Sequence, residues 1–221
     1  GKNATFHHNM ITNVHNRVPR LCGARFNWNG YDTETYANSV QAERVDVRNN
    51  LYYNWGNGNG AYGGMGGYHN LVNNYYKAGP GTKNKSRVFQ GSANSSGDSN
   101  GVLPDGLPGR FYIAGNYVTA QSAIYDWSGF KQDSGTGVNT SALTYTDSKG
   151  LYGAPGATVS IKLDGEVDMA DVTTHTAANA YNQILLYGGA SLYRDAVDER
   201  FMTDAKNGTT SYRMTETTDG E

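Results

Sequence analysis

Two arginines flank a proline at Arg17-Val18-Pro19-Arg20, shortly after the strand-like run Phe6-His7-His8-Asn9-Met10-Ile11 with its Asn bend. Proline fixes its own φ and pushes the preceding residue toward extended backbone, so Pro19 stiffens the presentation of both guanidinium groups. Positive charge fixed on a stiff scaffold suits an acidic polymer. The formal net charge of −2 argues against a general polyanion binder such as a nucleic-acid protein. An acidic ligand must therefore be held by local arginines and not by the overall field.

Other candidates are weaker. His7 and His8 alternate across a strand, so one faces inward and one outward. The outward one, taken as His8, can line a groove; a packed, hydrogen-bonded histidine fits equally well. No third ligand at suitable spacing supports zinc. Arg48 and Lys77 flank Asn pairs and are placed to contact carboxylates, although a solvated face is the plainer reading of each. Tyr62 and Tyr68, beside a glycine cluster, could stack on sugar faces. That cluster, Gly63-Gly64-Met65-Gly66-Gly67, lacks the Lys-Ser/Thr of a phosphate loop.

The elements that must position these residues are legible as a repeat. Thr5 to Ile11, Asp46 to Tyr52, Asn70 to Tyr76 and Tyr112 to Val118 align without gaps. Each has alternating apolar positions, a polar pair ending in Asn, then more apolar or aromatic residues, which is a strand-bend-strand pattern. Asn50 and Asn74 stand 24 positions apart, while Asn9 to Asn50 is 41 and Asn74 to Asn116 is 42. Those spacings predict an asparagine ladder, each amide bonding the next, which satisfies polar groups that one buried Asn could not. Four unrelated turns are the bland alternative. The excursions at 27–42, 56–67 and 79–108 are polar and glycine-rich, as groove-walling loops tend to be.

With 221 residues the chain can bury a sizeable core, and about one domain is the prior. Its 29 glycines, 17 tyrosines and 17 % charged residues suggest a turn-rich, strand-rich protein. The expected fold is all-β, a right-handed parallel β-helix (a solenoid) with long loops over 1–172, followed by a helical segment and polar tail over 173–221. Ala180/Ile184 and Tyr181/Leu185 share a helix face that Gly188-Gly189 ends. A second helix is predicted to start at Asp195, with Asp198 and Glu199 in its first turn and Asn207-Gly208 at its end. No run of about 18 apolar residues is present to span a membrane. One cysteine, Cys22, excludes an internal disulfide. The abrupt opening at Gly1 is read as a piece of a longer protein whose N-terminal coils are missing.

The His-His-Asn and Arg-x-Pro-Arg runs, with Tyr193-Arg194-Asp195-Ala196-Val197-Asp198-Glu199-Arg200, resemble the pectate lyase family of secreted bacterial polysaccharide lyases. The resemblance implies cleavage of polygalacturonate by β-elimination to unsaturated oligogalacturonides. Arg17 would be the base and Arg20 a carboxylate ligand, a task that suits a bidentate guanidinium. His8, Lys77 and Arg48 would be further substrate contacts. It also implies calcium, with ligands on coils absent from this chain, a secreted or cell-envelope location, and an acidic plant polysaccharide as partner. The missing N-terminal part of the same protein is a second expected partner, while nucleic acid and membrane are not expected. One departure stands at Cys22, where many members carry an arginine five positions after the base; only Arg25 lies nearby. A non-catalytic protein binding acidic polysaccharide, or an adhesin, is the alternative. A glycoside hydrolase of the polygalacturonase kind ranks last, because no paired-Asp motif lies on a strand.

Overall fold

A computed structural model describes residues 3–24, 43–56, 58, 60–93 and 103–210. Short strands recur in a fixed order along the chain. They are β1 (Ala4–His7), β2 (Met10–Thr12), β3 (Arg20–Leu21), β4 (Arg44–Arg48), β5 (Leu51–Tyr53), β6 (Ala61–Gly63), β7 (Tyr68–Val72), β8 (Tyr75–Lys77) and β9 (Phe89–Gly91). After these come β10 (Arg110–Ala114), β11 (Tyr117–Val118), β12 (Ala123–Ile124), β13 (Phe130–Gln132), β14 (Val138–Asn139), β15 (Thr144–Asp147) and β16 (Ala157–Ser160). Two helices close the described chain, α1 (Ala177–Tyr187) and α2 (Ala196–Asn207).

Strands β1-β4-β7-β10 form a first, parallel sheet. Strands β2-β5-β8-β11 form a second, with β12 added antiparallel at its edge. A third parallel sheet is β3-β6-β9-β13, and β14-β15-β16 make a separate antiparallel one. Alternation along each strand sends one set of side chains inward. Val47, Leu71, Phe111, Tyr52, Tyr76, Ala61 and Phe89 are the centre of that shared core. Gly63, at φ +110°, is required where β6 approaches β3, because a Cβ there would stand 2.0 Å from the Leu21 carbonyl oxygen.

The expectation of an all-β parallel β-helix is corrected. The described residues make four sheets of short strands, parallel and mixed, together with two helices, so their composition is mixed α/β and no solenoid is formed among them. The physical reason is that the three-strand recurrence stops. β12 turns back antiparallel on β11, the β14–β16 sheet has no counterpart among the described residues before it, and the helical periodicity of 177–207 takes over.

The asparagine ladder itself is present. The backbone N–H and side-chain amide of Asn9 both donate to Asn50 Oδ1, those of Asn50 to Asn74 Oδ1, and those of Asn74 to Asn116 Oδ1, all at 2.9–3.1 Å. Asn116 donates in turn to Asp126 Oδ1 at 2.8 and 2.9 Å. A carboxylate only accepts, so Asp126 ends the chain of donors. The residue before each Asn takes the left-handed bend: His8 at φ 52°, Asn49 at 53°, Asn73 at 52° and Gly115 at 73°. A second pair that the sequence reading missed, Asn13 and Asn54, repeats the device after β2 and β5, with Asn54 Nδ2 donating to Asn13 Oδ1 at 2.6 Å.

Both helices start and stop as their sequence predicts. Thr176 accepts from Asn179 N–H at the start of α1, Asp195 accepts from Val197 and Asp198 N–H at the start of α2, and Gly208 ends α2 with φ 74°. They lie on the second sheet, where Leu51, Tyr53, Ile184 and Ala205 are buried together. The Tyr181 ring stacks on Tyr75 at 4.4 Å, and Tyr53 donates its hydroxyl hydrogen to the Thr209 carbonyl. Among the described residues no helix is long and apolar enough to cross a membrane. The 27–42 excursion and Arg25 lie outside the described residues, as does part of 79–108.

Candidate functional site

The third sheet carries the site. In β3, β6, β9 and β13 the inward positions are Leu21, Ala61, Phe89, Gly91 and Gln132, all buried. The alternating outward positions fall in register, Arg20 beside Tyr62, Tyr62 beside Gln90, and Gln90 beside Lys131. Arg17 comes from the turn before β3. Its φ of +60° and the buried Val18 that follows set the turn, and Val18 N–H donates to the Gly60 carbonyl.

Two guanidinium groups therefore meet one aromatic ring. The Arg17 Cζ stands 4.7 Å from the Tyr62 centroid and the Arg20 Cζ 5.9 Å. Both arginines are exposed. A cation over an aromatic face gains about 0.5–1 kcal/mol at an exposed site, which is enough to bias rotamers while leaving the donors open to a ligand. Tyr62 is oriented by its hydroxyl, which donates to Ser92 Oγ at 3.3 Å. The result is an aromatic ring with two planar cation forks over it, suited to a carboxylate attached to a sugar ring.

The remaining sequence-predicted contacts are elsewhere and are occupied. Arg48, on the outer face of the first sheet, donates from Nε to Asp46 at 2.5 Å, from Nη2 to Glu166 at 2.7 Å and from Nη1 to Thr174 at 2.9 Å. Burial works against its charge, but the Asp46 and Glu166 carboxylates outweigh that and hold the guanidinium above its ordinary range. Residues 163–176 form a strap over this sheet. Asn70 exchanges two hydrogen bonds with Val167, and Asn49 exchanges two with His175. Lys77 donates to the Tyr181 hydroxyl at 3.1 Å and the Lys206 carbonyl at 2.9 Å, tying β8 to both helices.

His8 is not on a strand face. β1 ends at His7, and His8 occupies the bend, so the expected in-and-out alternation of the two rings is not kept. Its Nδ1 is 2.9 Å from His7 Nδ1 and its Nε2 is 2.9 Å from His175 Nδ1. Burial, then the neighbouring His7 and His175, push its pKa below the ordinary histidine value. Tyr68 carries Arg110 on its ring and belongs to the first sheet.

A cavity of about 390 Å³ opens beside the strap, lined by Arg48, Glu166, Asp168, Asp171 and Thr174 among others. Three carboxylates on its wall and a neutralised arginine make it a poor host for an acidic ligand. Among the described residues no group of three or more His, Cys, Asp or Glu could hold a metal ion. The described residues therefore do not fit a calcium site, and no chemical step is assigned to calcium.

Sequence reading missed Gln90 and Lys131. The signal was the triplet Ala61-Tyr62-Gly63, Phe89-Gln90-Gly91, Phe130-Lys131-Gln132, in which an apolar first residue precedes a middle residue that carries a polar group. No protein-family model matches this chain, and no curated protein matches it.

Proposed function

We propose that this chain acts on polygalacturonate as a lyase, with the surface around Tyr62 as its active site. The observation that supports the reading is the pair of exposed guanidinium groups over one ring, 4.7 and 5.9 Å from its centroid. The proposal rests on that local arrangement and on the resemblance of the Arg17 to Arg20 run, and it does not need a particular fold class.

In β-elimination the C5 proton of a uronate leaves as the C4–O bond breaks. The C5–H electrons become the C4=C5 double bond, and the departing oxygen takes a proton from solvent. Negative charge grows on the adjacent carboxylate as C5 is deprotonated, so fixed cations against it lower the barrier. Arg20 binds that carboxylate, Tyr62 supports the sugar face, and Arg17 receives the C5 proton as a neutral guanidine, having first lost its own proton to solvent. Guanidinium groups have reference pKa values above about 12, so turnover is expected to rise into alkaline pH.

The test is the ultraviolet absorbance of the unsaturated uronate product during incubation with polygalacturonate, with added calcium and with chelator. Arg17→Ala is expected to lower the rate by at least about a hundred-fold while the polymer still binds, the range for a lost general base. Unchanged product formation by that variant would overturn the base assignment.

A second reading is favoured by the same exposure of Arg17 and Arg20: a non-catalytic module that binds acidic polysaccharide. Tight binding with no absorbance change under any of these conditions is its signature. Secretion and a second polypeptide segment of the same protein belong with the lyase reading as expectations.

A further inference from the structure

Resting on the polyuronate reading, we propose that the outward row Arg20, Tyr62, Gln90, Lys131 is a track along which an acidic polysaccharide lies across the strands. On this track Lys131 holds a carboxylate remote from the one at Arg17 and Arg20.

Register carries the argument. The four residues are consecutive cross-strand partners in one parallel sheet. Neighbouring strands stand about 4.8 Å apart, so the row from Arg20 to Lys131 runs roughly 14 Å, more than one sugar ring can bridge. It is straight because the pairing is in step at all three junctions. Its inward neighbours, Leu21, Ala61, Phe89 and Gln132, are buried and hold the row from beneath.

The row is also chemically continuous. Between the arginine end and Lys131 sits Gln90, whose Nε2 donates to Asp133 Oδ1 at 2.6 Å and whose Oε1 accepts from Arg87 Nη1 at 3.3 Å. A side-chain amide held at both ends presents a fixed polar surface, suited to sugar hydroxyls. Tyr62 supplies a flat apolar ring one strand away. The row and the side chains touching it carry Arg17, Arg20, Arg87 and Lys131 and, against them, Asp133, on a chain whose formal charge is −2. Charge segregated onto one register line, at the end of which Lys131 is exposed, fits a linear polyanion and not a single small acid.

Binding measured by calorimetry at low salt on a length series of oligogalacturonates, from the disaccharide upward, tests this. Lys131→Ala is expected to weaken the long oligomers about five-fold, the scale of one exposed charge pair, and to leave the disaccharide unchanged. Lys131→Glu should weaken the long oligomers further, Lys131→Arg should restore them, and Lys149→Ala, an exposed lysine off the row, should change nothing. A loss that is equal at every length, or no loss with Lys131→Ala and Lys131→Glu, overturns the track while leaving the polyuronate reading in place. Failure of the unaltered protein to bind any oligomer removes that reading and the track with it.

Discussion

Arg48 and Arg20 both project from the outer face of a parallel sheet, in strands of neighbouring passes of the chain, yet they meet opposite surroundings. Above the first sheet the strap 163–176 closes over the outward row, and Arg48 spends its donors on Asp46, Glu166 and Thr174. Above the third sheet Arg20 shares the Tyr62 ring with Arg17, and both guanidinium groups reach solvent. Residue type and strand position are alike; what differs is whether the chain later returns to cover the face. A cation with its carboxylates already beside it is part of the architecture, and one resting on an aromatic ring in the open is available to a ligand.

The sharpest way to break this comparison is to remove each arginine in turn. Asp46 is fully buried, so Arg48→Ala strands a carboxylate without its counter-charge, at a cost of about 3 kcal/mol. The Glu166 side chain is 44 % exposed, so its pairing with Arg48 is screened and contributes little of that. Arg20→Ala should stay within about 0.5 kcal/mol in urea unfolding, as surface substitutions usually do. Equal losses for the two variants would erase the distinction between the faces.

Both faces stand on the asparagine ladder, so damage there should reach them together. Asn74→Ala leaves the Asn50 backbone N–H and one hydrogen of its side-chain amide without an acceptor, and removes the side-chain donor to Asn116 Oδ1, which keeps the backbone N–H of residue 74. Buried groups left unpaired in this way cost about 2 kcal/mol. The midpoint of urea unfolding should fall accordingly, with polyuronate affinity per folded molecule retained. An unchanged midpoint would contradict the ladder as a support of both faces, and a loss of affinity per folded molecule would show that it shapes the site directly.

Much of this frame was legible in the sequence because its signals are local. The ladder asparagines at 9, 50, 74 and 116 repeat beside alternating apolar residues, and each helix carries its own cap and stop. The role of Arg48 was not legible, since Glu166 lies 118 residues away and nothing near Arg48 announces it. The same holds for His8, whose partner His175 is 167 residues distant. Lys131 escaped notice because its kinship to Arg20 exists only once the third sheet is in register. The expectation of one repeat over 1–172 failed for a related reason: a repeat detected in the first half says nothing about where it stops, and here antiparallel strands replace it before the expected helices begin.

A smaller effect sharpens the comparison on the third-sheet side. Arg20→Ala should lower affinity for polygalacturonate about ten-fold, the scale of a hydrogen bond to a charged group. Raising ionic strength should shrink the difference between variant and parent, because the lost contact is solvent-screened. Arg48→Ala, corrected for its unfolded fraction, should bind as the parent does. An affinity loss for Arg48→Ala matching that of Arg20→Ala would instead put the ligand on the strapped face.

The smallest effect concerns the strap itself and its dependence on pH. His8 is held below the ordinary histidine value by burial first and then by His7 and His175, and the fully buried His69 is held below it by burial despite the nearby Glu43. In the unfolded chain both would bind protons near pH 6.5, while the folded chain resists until lower pH. The unfolded state therefore takes up more protons in that window, so stability is fully present above about pH 6.5 and declines as pH falls toward the folded values. The groups facing His8 are His7 on β1 and His175 on the strap; Asn49, which holds the His175 backbone, does not titrate. Thermal unfolding at stepped pH from 7.5 to 5.5 should show Tm falling in the parent. In His175→Gln the fall should be shallower, because His8 loses a like-charged neighbour, but not abolished, because His69 is untouched. A Tm that is flat over this range in the parent would contradict the burial of both rings as neutral groups, and with it the account of how the strap is fastened at His8.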